Sequence, residues 1–285
     1  MLNQNKYEGP LKKTLDRFYK EYNFKERIKH DPIEIPHRYS NSEDIEIAGF
    51  IASCFAYGKV GLFKPVIEEI LKPAGKHPSR MLKNFNMKND AEYFKGINYR
   101  FNKEKDILCF IYLLSETVKK WGSLKKLFYH HYESGHEDIR IALKDFVEYL
   151  LGINTSPVYG RNIKPSGLKQ LFPNPVNGSA CKRMNLFLRW MVRRNDIDFG
   201  IWDKVPASRL IIPLDTHIAR ISRCLGFTER KSSDWKTAKE ITEALKRFDE
   251  NDPLKYDFAL CHHGISGVCR GEESPSSCSA CAFSI

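Results

Sequence analysis

The sequence predicts an all-α protein. Apolar residues recur at spacings of three and four in segment after segment, strand-type alternation is hard to find, and Gly, Pro or Ser closes most of the periodic stretches. A chain of 285 residues is long enough for one large domain or two lobes with a real core. Its 42% apolar and 12% aromatic content argues against disorder.

The elements follow in order. In "NSEDIEIAGFIASCFAYGKVGLFKPVIEEILKPAG", Asn41 or Ser42 is a candidate cap with acids in the first turn, and one or two apolar helices run on to Pro73 and Gly75. "KEKDILCFIYLLSETVKKWGS", "SLKKLFYHHYES" and "EDIRIALKDFVEYLLG" read as three further helices. A loop rich in Pro, Gly and Asn fills residues 153 to 165. The short segment "SGLKQLF" then precedes the turn "PNPVNGSA". Ser179 is the expected N-cap of the next helix, whose buried stripe is Met184, Phe187, Leu188 and Met191. "DTHIARISRCLGF" is a helix capped by Asp215 or Thr216 and closed by Gly226. "KTAKEITEALKRF" and "PLKYDFALCHHGI" complete the set, with no internal repeat.

The longest apolar run without charge, Ile47 to Gly58, is too short to cross a bilayer, and no signal-peptide core follows Met1. A soluble, cytoplasmic protein is expected. A net charge of +11 favours a polyanionic partner, because each cation set against a phosphate releases a counterion; an ordinary basic enzyme would show the same excess. In a reducing compartment the eight cysteines are thiols or metal ligands rather than disulfides.

Four groupings bear on chemistry. Lys182 sits in the first turn of its helix, where the backbone dipole and Arg183 disfavour the ammonium; a lysine with a lowered pKa is a nucleophile able to form a Schiff base. Asp215 follows the apolar "LIIPL", which would leave its carboxylate partly desolvated. A plain helix cap and a solvated lysine are the bland alternatives. At the C-terminal end, Cys261, Cys269, Cys278 and Cys281 include a two-residue "CSAC" spacing suited to Zn or an iron–sulfur cluster, with the fourth ligand open between Cys261, His262, His263 and a residue elsewhere. Unliganded thiols fit the same pattern. A basic surface runs through Arg183, Arg189, Arg193 and Arg194 to Arg220, Arg223, Arg230 and Lys231, and free N–H groups at two helix N-termini could receive phosphate oxygens. Tyr57, beside Gly58 at a helix break, is either core or a wedge that fills the space of an extruded base.

"KRMNLFLRWMV", then "IIPLDTHIARISRCLG", then a helix and a cysteine-rich end resemble, in order, the helix-hairpin-helix DNA glycosylase superfamily, which includes endonuclease III and archaeal 8-oxoguanine glycosylase. "DPIEIPHRYSNSEDIEIAGFIASCFAYGKV", "NGSACKRMNLFLRWMVRRND" and "NDPLKYDFAL" are similar to a bacterial family of unknown function, over most of the chain. Four features depart from the endonuclease III pattern: "PNPVNGSA" stands where its hairpin carries Gly-x-Gly, the segment between Lys182 and Asp215 is longer and closer to the archaeal 8-oxoguanine type, the fourth cluster cysteine is missing, and Cys269 to Cys278 is wider.

The resemblance implies a two-lobed helical fold with a helix-hairpin-helix element and a cleft between lobes. Residues 45 to 194 would form the central lobe; residues 1 to 44 with 195 to 285 would form the other. It implies a base-excision repair glycosylase with AP-lyase activity. Lys182 would be the Schiff-base lysine and Asp215 the carboxylate that stabilises the cationic sugar. Ser179, Arg183, Arg189, Arg193, Arg220 and Tyr57 would contact DNA. Cys269, Cys278 and Cys281, with Cys261, would hold a [4Fe–4S] cluster or Zn that the chemistry itself does not require. The implied partner is double-stranded DNA with a damaged or abasic site, an oxidised purine being preferred, met by a monomer at the nucleoid. A non-catalytic DNA-binding protein that keeps the fold is the competing expectation.

Overall fold

The computed structural model describes residues 4–267 and 282–283, and these are helical with only isolated bridges in place of strands. The all-α expectation therefore holds at the level of class. The fifteen α-helices are α1 (Gln4–Glu21), α2 (Phe24–Ile28), α3 (Ser42–Phe55), α4 (Val60–Leu71), α5 (Pro78–Asn84), α6 (Met87–Asp90), α7 (Glu104–Trp121), α8 (Leu124–His131), α9 (Arg140–Gly152), α10 (Ser156–Tyr159), α11 (Ser166–Leu171), α12 (Lys182–Val192), α13 (Thr216–Cys224), α14 (Trp235–Lys246) and α15 (Asp257–Ile265). Short 3-10 turns link several of them. No helix among the described residues is long and apolar enough to cross a membrane.

Helix α3 is the axle of the larger group. Asn41 caps it by accepting from the Glu43 N–H, and from Asp44 to Phe55 every residue is buried. It packs against α12, α5 and α4, while α7, α8 and α9 close around it. The apolar run divides at Gly58, whose φ of +86° ends α3 and lets α4 turn away. Gly122 closes α7 in the left-handed conformation, as its position in the sequence suggests. Helix α1 was not marked by the segments singled out above, yet Leu11 and Leu15 are buried at helical spacing and Phe18 packs on His263 and Phe283. The buried apolar side chains form one continuous cluster that runs through both of the segments expected to be separate lobes.

Two carboxylates on α3 are buried to join helices. Asp44 accepts from the backbone N–H and the hydroxyl of Ser79 on α5. Glu46 accepts from the Leu124 and Lys125 N–H groups, the two donors at the start of α8 that the Ser123 cap leaves open, and from the Trp202 indole. Burial pushes the Glu46 carboxyl up to about 7, against the pull of those donors.

That shift has a defined sign. The native state binds the Glu46 proton more tightly than the unfolded chain, whose value is near 4.5, so this group's stabilisation is complete below that pH and is lost as the pH rises to about 7. Across that window it amounts to roughly 3 kcal/mol, at about 1.4 kcal/mol per pH unit. Urea unfolding at pH 5 and pH 7 should show wild type losing stability with rising pH, and Glu46→Gln should flatten that loss.

Candidate active site

One cavity has a volume of about 830 Å³, within the range of pockets that hold small organic ligands. Its walls come from residues 30–32, 56–63, 173–189, 213–217 and 257–265, so segments from both expected lobes meet there. Lys182 and Asp215 face each other inside it.

Asp215 caps α13, and its two oxygens have different partners. Oδ1 accepts from the His217 and Ile218 N–H groups at 2.9 and 2.8 Å, so the first turn of α13 is already satisfied and offers these donors to no phosphate. Oδ2 lies 3.1 Å from Lys182 Nζ and accepts from the Cys261 thiol at 3.4 Å. The cap and the carboxylate of the pair are thus one residue.

Lys182 is the first residue of α12 and reaches the cavity through an unusual entry. Cys181 precedes it in the left-handed region, at φ 48°, and supplies no side-chain cap. A non-glycine residue held there costs on the order of 1–3 kcal/mol. Ser179 braces the turn by accepting from the Cys181 N–H at 3.1 Å; it is not the N-cap that its type and position suggest. Before it, α11 leads to α12 through a short 3-10 turn at Pro175–Asn177.

The electrostatics correct one expectation. Burial disfavours the Lys182 ammonium, but the Asp215 carboxylate outweighs it and holds the lysine above its ordinary value. Burial likewise works to raise Asp215, and Lys182 with the Ile218 N–H pulls it below the carboxylate range. The resting pair is therefore ammonium and carboxylate, not the free amine that a helix N-terminus alone would favour. Arg183, expected to help depress the lysine, is turned away. Its guanidinium donates to the carbonyls of Cys54 (2.6 Å) and Gln170 and lies 5.1 Å from the centre of the Tyr57 ring.

Other expected DNA contacts are redirected by burial. Arg189 and Arg193 are 2% and 3% exposed and cannot meet a phosphate at the surface. Arg189 bonds Asp257 at 2.5 Å and Asp198 at 3.3 Å; Arg193 bonds Asp198 and, at 2.7 Å, Asp252. The basic surface expected there is covered by the 195–198 turn, the loop at Asp252 and α15. Arg220 donates to the Gly264 carbonyl at 2.9 Å and ties α13 to α15. Tyr57 lines the cavity as a fixed wall: its hydroxyl donates to Asn102, and Arg100 covers its ring at 5.8 Å. It is too braced to swing as a wedge.

Cys269, Cys278 and Cys281 lie outside the described residues. Cys261, expected as their fourth ligand, points its sulfur at Asp215, and burial, with Asp215 and Asp257, pushes the thiol well up. Among the described residues no group of three His, Cys, Asp or Glu side chains is placed to hold a metal ion.

Sequence reasoning missed two carboxylates of the cavity. Asp31 accepts from or pairs with His262 Nε2 at 3.0 Å across the pocket, and Asp257 backs Arg189. No local signal marks either: Asp31 is a cap of a 3-10 turn, and Asp257 is a first-turn acid of α15.

A family model described as "Protein of unknown function (DUF2400)" matches residues 31–266, and the chain belongs to that family. The matched span includes Lys182, Asp215 and Cys261. No curated protein matches, and no solved structure does.

Asp215→Asn separates the charge of Asp215 from its cap, since the amide oxygen can still accept from His217 and Ile218. The variant should fold, and the Lys182 pKa should drop, because the largest charge opposing burial is then gone. Carbon-13 NMR of labelled lysine Cε across a pH titration would read the shift; an unchanged pKa would refute the electrostatic account.

Proposed function

We propose that this DUF2400 chain is a DNA glycosylase with AP-lyase activity, working through a Schiff base on Lys182. One observation carries the reading: Lys182 Nζ stands 3.1 Å from Asp215 Oδ2 in a cavity large enough for a nucleobase and its sugar. The ordered resemblance of both segments to the glycosylase superfamily supports it, as does the net charge of +11.

The pair suits a switch of protonation. Its charged form depends on mutual attraction, while burial pushes each partner toward neutrality. A deoxyribose entering between Nζ and Oδ2 weakens that attraction, and the ammonium proton passes to Asp215. The free amine then attacks C1′ as the N-glycosidic bond breaks, and the bonding electrons leave with the base. Asp215 returns its proton to the departing base, and its carboxylate is left to stabilise the cationic centre at C1′. Ring opening gives the protonated imine, with one proton moving from the attached nitrogen to O4′. The Asp215 carboxylate then takes a C2′ proton, the C–H electrons form the C2′=C3′ double bond, and the 3′ phosphate leaves with the C3′–O3′ bonding pair, which cuts the strand. The Cys261 thiol, protonated beside Oδ2, orients the carboxylate throughout.

A non-catalytic DNA-binding role is the second reading. The closed ammonium–carboxylate pair favours it, because the resting lysine is not nucleophilic. Borohydride trapping on duplex DNA with an abasic site separates the two. Wild type should give a covalent adduct, Lys182→Ala none, and Asp215→Asn an adduct formed about 10²- to 10⁴-fold more slowly. No adduct with the wild-type protein would end the lyase reading.

A further inference from the structure

β-Elimination at Lys182, as proposed, leaves an electrophile in the cavity beside a thiol. Cys261 lies in the middle of α15, lines the cavity and is only partly buried. Its thiol donates to Asp215 Oδ2 at 3.4 Å, and the same oxygen lies 3.1 Å from Lys182 Nζ. An amine nitrogen and a sulfur therefore share one carboxylate oxygen, so whatever is joined to the nitrogen is held beside the sulfur. A second feature marks this cavity as a ligand site. Arg189 lines it, is 2% exposed, and has its Nη2 buried with no hydrogen-bond partner. An unpaired buried donor is a standing cost, which an acceptor atom on a bound molecule removes.

Once the strand is cut, the sugar still joined to Lys182 carries C2′=C3′ conjugated with the protonated imine. C3′ of such a system accepts soft nucleophiles, and a cysteine sulfur is soft and polarizable. C3′ stands three bonds from Nζ. At rest the thiol is unreactive: burial, then Asp215 and Asp257, hold its proton on against the pull of Lys182. Elimination removes the larger of those two negative charges. Asp215, having taken the C2′ proton, is neutral, while the imine nitrogen stays cationic. The step that makes the electrophile also releases the thiol.

We propose that Cys261 adds to C3′ of this product and ties the protein to the 3′ end of the strand it has cut. The addition rests on the proposed lyase step for its electrophile, and it is a further reaction of the same site. The sulfur lone pair forms the S–C3′ bond, the C2′=C3′ pair moves to C1′–C2′, and the imine pair moves onto nitrogen. The thiol proton passes to Asp215 as the proton that Asp215 holds goes to C2′, which restores the protonated imine. Water then hydrolyses the imine: its oxygen stays on C1′ as an aldehyde, and Lys182 leaves as the ammonium. A thioether through Cys261 remains. Nothing is oxidised or reduced. The strand end stays capped by the chain that made it.

The test uses the full chain with two duplexes. One carries a natural abasic site; the other is nicked, with the unsaturated aldehyde already formed at its 3′ end by alkaline elimination. Methoxyamine ends the reaction, because it strips imines from lysine and leaves thioethers. Wild type should keep a methoxyamine-stable adduct on both duplexes, mapped to Cys261 by peptide mass spectrometry. Cys261→Ser should lower stable adduct per cut strand roughly tenfold or more, because a neutral hydroxyl is the far weaker nucleophile. Counting per cut strand removes any change in the lyase rate itself. Cys224→Ser, at a partly buried thiol outside the cavity lining, should leave that ratio alone. No stable adduct from either duplex, an adduct on another residue, or a full yield with Cys261→Ser overturns the proposal. The nicked duplex separates this reaction from the lyase. An abasic duplex left uncut, with a stable Cys261 adduct on the nicked one, would remove the lyase and leave thiol addition standing. Cutting and borohydride trapping without a stable adduct would do the reverse.

Discussion

Two buried guanidinium groups hold α12 in place, and the site depends on them. Arg189 and Arg193 reach Asp198, Asp252 and Asp257, carboxylates that arrive from a turn after the helix, from the loop between α14 and α15, and from the start of α15. With all these groups out of water, loss of one partner leaves an uncompensated charge, at a cost of about 3–5 kcal/mol. The clamp fixes more than the depth of α12. Lys182 and Arg189 are seven residues apart, two turns along one face, so anchoring Arg189 to α15 also sets the direction in which Lys182 points. Asp215 is carried by α13, which packs on α15 so closely that a Cβ at Gly264 would stand 2.8 Å from the His217 Cβ. Both members of the central pair are therefore referenced to the same helix.

Asp215 shows how a structural residue is also made available for chemistry. One oxygen satisfies the orphan donors of α13, which stops the side chain from rotating away. The other is presented to an ammonium and a thiol in a partly dry cavity. The pairing explains why the resting lysine is charged even though it starts a helix. A macrodipole acts with a fraction of a charge, while a carboxylate at 3.1 Å acts with a whole one. It also ties the proton positions to whatever separates the two groups.

Strain gathers around the cavity. Cys181 and Arg100, two of the three non-glycine residues with positive φ among the described residues, flank it: one sets the entry of α12 behind Lys182, the other holds the aromatic turn against Tyr57. Both are over-determined by their neighbours, through the Ser179 hydroxyl in one case and the Tyr99–Asn102 pair in the other. Rigid backbone in unfavourable conformations at one cavity is consistent with a site whose geometry has been set ahead of its ligand.

The sequence by itself determined most of the longer helices, several of their caps and much of their buried faces, because those follow from local periodicity and from residues a few positions apart. Asn41, Asp215, Gly122 and the stripe of α12 were all legible in this way. So were Lys182 and Asp215 as a pair to examine, although their proximity came from resemblance and not from spacing. Only the tertiary structure decided which charges face solvent. Arg189 and Arg193 read as a basic surface until the 195–198 turn, the loop at Asp252 and α15 cover them, and Arg183 reads as a phosphate contact until two carbonyls take its donors. Burial and through-space charge depend on segments distant in the chain, and no local pattern encodes them.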